Sequence, residues 1–207
     1  MSLVCNMREA EAIAGTLGTP SKMPGYAYGI SAKLCQVGGV LRSVKGSVCE
    51  KCYAMRGHYN AKGVISAHTK RLQSLTHPLW VDAMVFMIQY RQSMYFRWHD
   101  SGDLQSLDHL KKIAEVCKNT PEVRHWLPTR EQGMVNSYLK MHGDFPANLC
   151  VRVSATMIDG PPPTDFNQTS TVVKEGWTCP ASEQENSCKD CRKCWDRTVM
   201  NVAYKKH

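Results

Sequence analysis

Seven of the ten cysteines fall into two sets whose spacing suits metal ligation. Cys35, Cys49 and Cys52 form C-x13-C-x2-C, and Cys179, Cys188, Cys191 and Cys194 form C-x8-C-x2-C-x2-C. Four thiolates saturate a tetrahedral zinc site or hold a whole iron–sulfur cluster. Three leave one position open, and open positions are where metals do chemistry. The count therefore predicts one structural centre and one reactive centre.

Disulfide bonding is the competing use of these thiols. The chain opens without the basic, apolar and small-residue regions of a secretory signal, since residues 1–7 run straight into Arg8, Glu9 and Glu11. No apolar run approaches the roughly 18 residues that cross a membrane. The expectation is a soluble cytoplasmic protein, where thiols stay reduced and C-x2-C pairs read as metal ligands. Cys117 and Cys150 sit in apolar runs and read as core thiols, while Cys5 is isolated.

A second group of reactive side chains follows strand-like segments. His99, Asp100, Ser101, Gly102 and Asp103 follow the segment 94–99; Thr129 and Arg130 follow 123–127; Ser154 closes 149–155. Strand ends of parallel β–α units are where ligands bind. His99, Asp100, Asp103 and Arg130 are the candidate catalytic groups, with Arg97 a further guanidinium able to hold a carboxylate or phosphate. Asp103 and Thr129 also suit helix N-caps.

These residues need elements to position them. Helical patterns cover residues 7–17, 61–75, 79–91, 107–118 and 131–141, the last with Thr129 and Gln132 in capping-box spacing. Residues 22–31 look extended, and the first cysteine set occupies a loop with Gly38, Gly39 and Gly46. Residues 169–173 read as a further strand and 195–204 as a closing helix. Strands alternating with helices predict an α/β fold, a partial or complete parallel β/α barrel. Residues 1–176 would form its catalytic domain and 177–207 a cysteine-rich metal-binding appendage. The balance of 26 Lys plus Arg against 18 Asp plus Glu gives +8, which favours an anionic partner, here a nucleic acid or nucleotide.

The motifs KMPGY at 22–26, VCEKCYA at 48–54, FRWHDSGDL at 96–104, WLPTRE at 126–131 and the run from Cys188 to Trp195 resemble the phage "gene product eighty-eight" family. That resemblance covers nearly the whole chain and names no reaction. It implies the cytoplasm of a host cell. More distantly, the chain is similar to radical S-adenosylmethionine enzymes, which hold a [4Fe–4S] cluster by three cysteines after the first barrel strand. There Ser101, Gly102 and Asp103 occupy the place of the motif that holds the cofactor's amino group, and Ser154 would contact its polar groups. Lys51 stands where those enzymes carry an aromatic residue, and Tyr53 follows the cysteine instead. The four-cysteine segment resembles their auxiliary-cluster domains. Residues 100–105, DSGDLQ, also resemble the DSGGFQ motif of guanine transglycosylases, matching four of six positions, with Asp159 the one candidate for that family's second aspartate.

The reading that follows is an iron–sulfur enzyme, radical S-adenosylmethionine-like, modifying a nucleic acid, nucleobase or nucleotide. One alternative is a transglycosylase-like base-exchange enzyme (a transferase) with structural zinc. Another is a non-catalytic zinc-stabilised nucleic-acid binder, in which His58 joins the first three cysteines.

Overall fold

The computed structural model describes residues 4–206. Residues 1–3 and 207 lie outside the described residues, and with them part of the opening read for a signal. Six strands build one sheet: β1 (Tyr26–Tyr28), β2 (Tyr95–Trp98), β3 (Arg124–Thr129), β4 (Leu149–Ile158), β5 (Thr169–Val173) and β6 (Asn201–Lys205). They lie in sequence order and every neighbouring pair is parallel. The helices are α1 (Met7–Ala14), α2 (Gln36–Leu41), α3 (Lys62–Ser74), α4 (Trp80–Tyr90), α5 (Leu107–Lys118) and α6 (Gln132–His142).

Sequential parallel order has a geometric consequence. As a rule β–α–β crossovers are right-handed, and in sequential order such crossovers wind the same way and lay their helices on one face. The main core obeys this. Phe96 and Trp98 of β2, Leu127 of β3, and Leu149, Val151 and Val153 of β4 pack with Trp80, Met84, Leu110, Ile113, Val135 and Tyr138 from the helices. The intervening strand residues face the other way. There Trp126 meets Trp195, Cys194 and Val202 in a second, smaller apolar cluster that also takes in Tyr95 and Tyr204.

The α5 helix shows how the sequence fixes an element. Ser106 caps it by accepting from the His109 N–H at 3.0 Å. Leu110, Ile113, Ala114 and Cys117 recur at helical spacing and are all buried. Cys117 and Cys150 are core thiols, as their apolar surroundings suggest, and none of the ten cysteines is in a disulfide.

Several expectations need correction. Among the described residues β1 and β6 do not pair, so the sheet is open and a complete barrel is not formed. Residues 195–204 are not a helix: a 3-10 turn covers Lys193–Trp195, and Asn201–Lys205 is β6. The exposed edge of β5 supplies five register partners, from Thr169–Asn201 to Val173–Lys205, and that pairing overrides local helical preference. The first cysteine segment is not a plain loop, because Cys35 opens α2 and Cys52 opens a 3-10 turn over Tyr53–Met55. The Thr129–Gln132 capping box does not form. Glu131 takes the cap position, while Thr129 Oγ1 donates to Asp103 and accepts from the Glu131 N–H. No helix among the described residues is long and apolar enough to cross a membrane.

Candidate metal centre and strand-end site

The segment that follows β1 crosses the C-terminal edge of the sheet and is tied to it strand by strand. Tyr53 Oη donates to the Asp100 carbonyl beyond β2 at 2.7 Å. The Val37 N–H donates to Glu131 Oε1 beyond β3 at 3.0 Å. The Val48 N–H reaches the Thr156 carbonyl of β4 at 2.9 Å, and Ser47 bridges Met157. Gln36 adds a bond to the Gln105 carbonyl at 2.9 Å. Cys35, Cys49 and Cys52 are therefore carried over the strand ends by a segment anchored at three successive strands.

Within that segment Cys35 and Cys49 flank Gly38. A Cβ placed on Gly38 would lie 3.0 Å from Cys35 Cβ and 3.5 Å from Cys49 Sγ, so glycine keeps this space open beside the thiols. Burial pushes the Cys35 thiol up to about 12, with Asp103, Cys52 and Cys49 adding repulsion. Burial also raises Cys49, opposed by Arg130. Asp103, Arg42 and Arg130 are thus the charged neighbours of the thiols. Among the described residues no three His, Cys, Asp or Glu side chains converge on a single-ion site.

Asp103 is a clamp. Its Oδ1 accepts from the Leu104 N–H at 2.8 Å and from Thr129 Oγ1 at 2.6 Å, and its Oδ2 accepts from the Arg130 N–H at 2.9 Å. Burial nonetheless lifts its carboxyl to about 6 against those three donors. It fastens the β2–α5 turn to the β3–α6 turn. Arg130 spans to the next strand, its Nε donating to the Ala155 carbonyl at 3.3 Å. Ser154 is buried and its hydroxyl meets that of Ser170 at 2.9 Å. Gly102 has φ +79 and sits against the Ile30 backbone, where a Cβ would come within 2.7 Å of the carbonyl oxygen. Only glycine fits that turn.

His99 is not at a solvent-facing rim. It has φ 55, is buried and lies edge-on to His109 of α5 with ring centroids 5.3 Å apart. Burial, His109 and Arg97 hold its imidazole neutral, well below the usual range. Both ring nitrogens lack a hydrogen-bond partner among the described residues, as do Asp100 Oδ1, Ser101 Oγ, Arg97 Nε and Trp126 Nε1. Buried polar atoms are normally paired, so these atoms around the end of β2 call for a partner, a water or a ligand; Trp98 Nε1, His109 Nε2 and His125 Nδ1 in the core are in the same position. Asp159, at φ 59, is engaged by Lys174 at 2.8 Å, and His58 is exposed on a 3-10 turn.

Arg97 lies between the strand-end residues and the second cysteine set. Its guanidinium stacks on the Trp126 ring at 4.4 Å, and its field reaches Asp100 and Tyr53 on one side and Cys194 and Tyr204 on the other. In the second set burial raises the Cys179 and Cys188 thiols, with neighbouring thiols adding to it, and Cys194 Sγ contacts Tyr204 Oη at 3.2 Å. Arg152, fully buried, organises that segment. It donates to the carbonyls of Lys193, Cys194, Asp196, Val199 and Thr169 at 2.6 to 3.3 Å. Arg152 carries no sequence motif, and Trp126, Glu131 and Tyr53, though they stand in motifs, carry no role legible from spacing. The signal available for Arg152 was a lone cation inside an otherwise apolar strand.

Residues 5–175 match the family model described as Gene product 88; the matched span includes Cys35, Cys49 and Cys52 and ends before Cys179. No curated protein and no solved structure matches the chain.

Proposed function

We propose that this chain, which belongs to the gene product 88 family of phage proteins, is an iron–sulfur enzyme that uses S-adenosylmethionine to modify a nucleic acid, nucleobase or nucleotide. The observation that carries the reading is the cysteine segment itself. Three thiols follow the first strand of a sequentially ordered parallel sheet and are tied across the ends of the next three. The sequential order and one-sided helical layer support a sheet curved as a partial β/α barrel.

The donor set suits a [4Fe–4S] cluster held by Cys35, Cys49 and Cys52. A cluster spreads its thiolate ligands over separate irons, so the side chains need not meet at one point as the ligands of a single ion must. Gly38 keeps the space between two of them free of a side chain. Cys35, Cys49 and Cys52 would hold such a cluster, which when bound and reduced would supply an electron for cleavage of the sulfonium cofactor. Ser101 and Asp100 each retain a buried polar atom without a partner among the described residues, and these atoms would pair with the cofactor's ammonium. Asp103, with three donors engaged, holds the turn that presents them. Arg97, stacked on Trp126 behind these groups, offers a cation to a substrate phosphate or carboxylate. Cys179, Cys188, Cys191 and Cys194 would hold the second, structural centre.

Anaerobic protein reconstituted with iron and sulfide tests the reading. It should be brown, change its electron paramagnetic resonance signal when S-adenosylmethionine is added, and release 5′-deoxyadenosine under reductant. Cys49→Ala should lose both responses. Wild-type protein carrying a full cluster but showing neither response overturns the proposal, and colourless protein with stoichiometric zinc turns the assignment to zinc.

A further inference from the structure

The chain's positive charge is not evenly spread. Residues 31–62, the segment that crosses the strand ends, contain Lys33, Arg42, Lys45, Lys51, Arg56 and Lys62 against one carboxylate, Glu50. The remaining residues hold 20 cations against 17 anions, so most of the net +8 belongs to this segment. All but Arg42 are exposed, and none of the six takes part in an ion pair among the described residues. The single carboxylate is exposed as well, and one of its oxygens accepts from the Gly46 N–H at 2.8 Å. A surface of solvated charge with no partner role would carry both signs, as the rest of this chain does.

The same segment exposes apolar and aromatic surface. Val40 is 70% exposed, Tyr53 51% and Leu34 43%. Tyr53 lies edge-on to Tyr59 with centroids 5.8 Å apart, and its hydroxyl is fixed on the Asp100 carbonyl. Its ring is thus held in place at the mouth of the strand-end site. Cations that track a phosphate chain beside an aromatic face that receives bases are the two components of a single-strand platform. A duplex would keep its bases stacked inside and leave the ring without a partner.

We propose that the outer surface of residues 31–62 binds single-stranded nucleic acid, its phosphates on Lys33, Lys45, Lys51, Arg56 and Lys62 and an unpaired base on Tyr53. This deepens the function proposed above by naming the substrate class, and it rests on that reading only in taking the strand-end site to be the one served.

Fluorescence anisotropy of a labelled 20-nucleotide single-stranded DNA, with reconstituted protein and a salt series, provides the test. Wild type should bind with a steep salt dependence. The variant Lys45→Ala/Arg56→Ala/Lys62→Ala should bind at least roughly tenfold more weakly in low salt, with a log–log slope shallower by about 2, from three contacts at about 0.7 each. Its melting temperature and iron content should match wild type. No binding at low salt, unchanged binding by the variant, stronger competition by the matching duplex, or variant-sensitive binding to anionic vesicles but not to the oligonucleotide each overturns the proposal. Photocrosslinking of a bromouracil-containing strand to wild type gives a second measurement that needs no variant. The adduct should fall on the peptide with Tyr53, and an adduct confined elsewhere counts against it. Strand binding without 5′-deoxyadenosine release removes the enzymatic reading and leaves this one standing; the converse result does the opposite.

Discussion

At position 29 there is no room for a side chain, and the reason is Asp100. A Cβ on Gly29 would lie 2.2 Å from Asp100 Oδ1 and 3.0 Å from the Ser101 carbonyl oxygen. Gly29 also offers its own carbonyl to Arg71 at 3.0 Å, so the backbone cannot easily withdraw. The carboxylate and the glycine are therefore one unit, and a double-mutant cycle should reveal it. Gly29→Ala alone should displace the Asp100 side chain and cost about 1–3 kcal/mol. In an Asp100→Ala background the same change should cost clearly less, with the remainder set by the Ser101 carbonyl. Chemical denaturation of the four proteins checks this, and strictly additive costs would show that the two positions are independent. Sequence patterns exposed the residues here but not their roles. His99 and Asp100 are neighbours after a strand, yet the left-handed backbone at His99 turns one into the helix layer and leaves the other beside Gly29.

The connection from β5 to β6 is the element with least regular structure, and one side chain from another strand holds it. Arg152 presents its planar fork to five carbonyls, four of them between Lys193 and Val199. Trp195 adds an indole bond to the Phe96 carbonyl at 2.9 Å and packs on Trp126 and Tyr95. Arg152→Met keeps the volume but strands those carbonyls, so it should lower stability by several kcal/mol, about 3–5. Arg152→Lys should recover only part, because an ammonium cannot reproduce the fork. Early proteolytic cleavage within residues 177–200 should accompany the loss; an Arg152→Met protein of wild-type stability and protease resistance would show the clamp to be dispensable. Most elements were legible beforehand, since α3, α4, α5, α6 and the strands β2 to β5 carry their own periodicity. The last strand was not. Residues 201–205 become a strand only because the β5 edge awaits a partner, and nothing in a local window records that edge. The same limit hid the segment after β1, whose course over the strand ends depends on bonds to Asp100, Glu131 and Thr156, between 47 and 108 residues away in sequence.

For the molecule as a whole, the layer between sheet and helices contains three histidines held neutral. Burial lowers His125 to about 3; burial and Lys112 lower His109 to about 3; His99 is depressed likewise by burial, His109 and Arg97. Above about pH 6.5 both the folded and unfolded chains carry these rings neutral, and they add no pH dependence. Below it the unfolded chain takes up protons that the folded chain refuses, so these rings remove stability as pH drops from about 6.5 toward 3, while Asp103, raised to about 6, works the other way. The slope is up to about 1.4 kcal/mol per pH unit for each ring. Against a total of about 5–15 kcal/mol, three such rings make acid unfolding abrupt. His125 allows a clean test. It stacks on Trp98 with centroids 6.0 Å apart, and its Nε2 meets Thr120 Oγ1 at 2.8 Å, while that hydroxyl also donates to the Val116 carbonyl at 2.8 Å. Phenylalanine at 125 therefore preserves the stacking without orphaning Thr120. Melting temperatures of wild type and His125→Phe, measured from pH 7.5 to 4.5, should diverge below about 6.5, with the variant losing less. Parallel curves would mean that His125 protonates in the folded protein as readily as in the unfolded one.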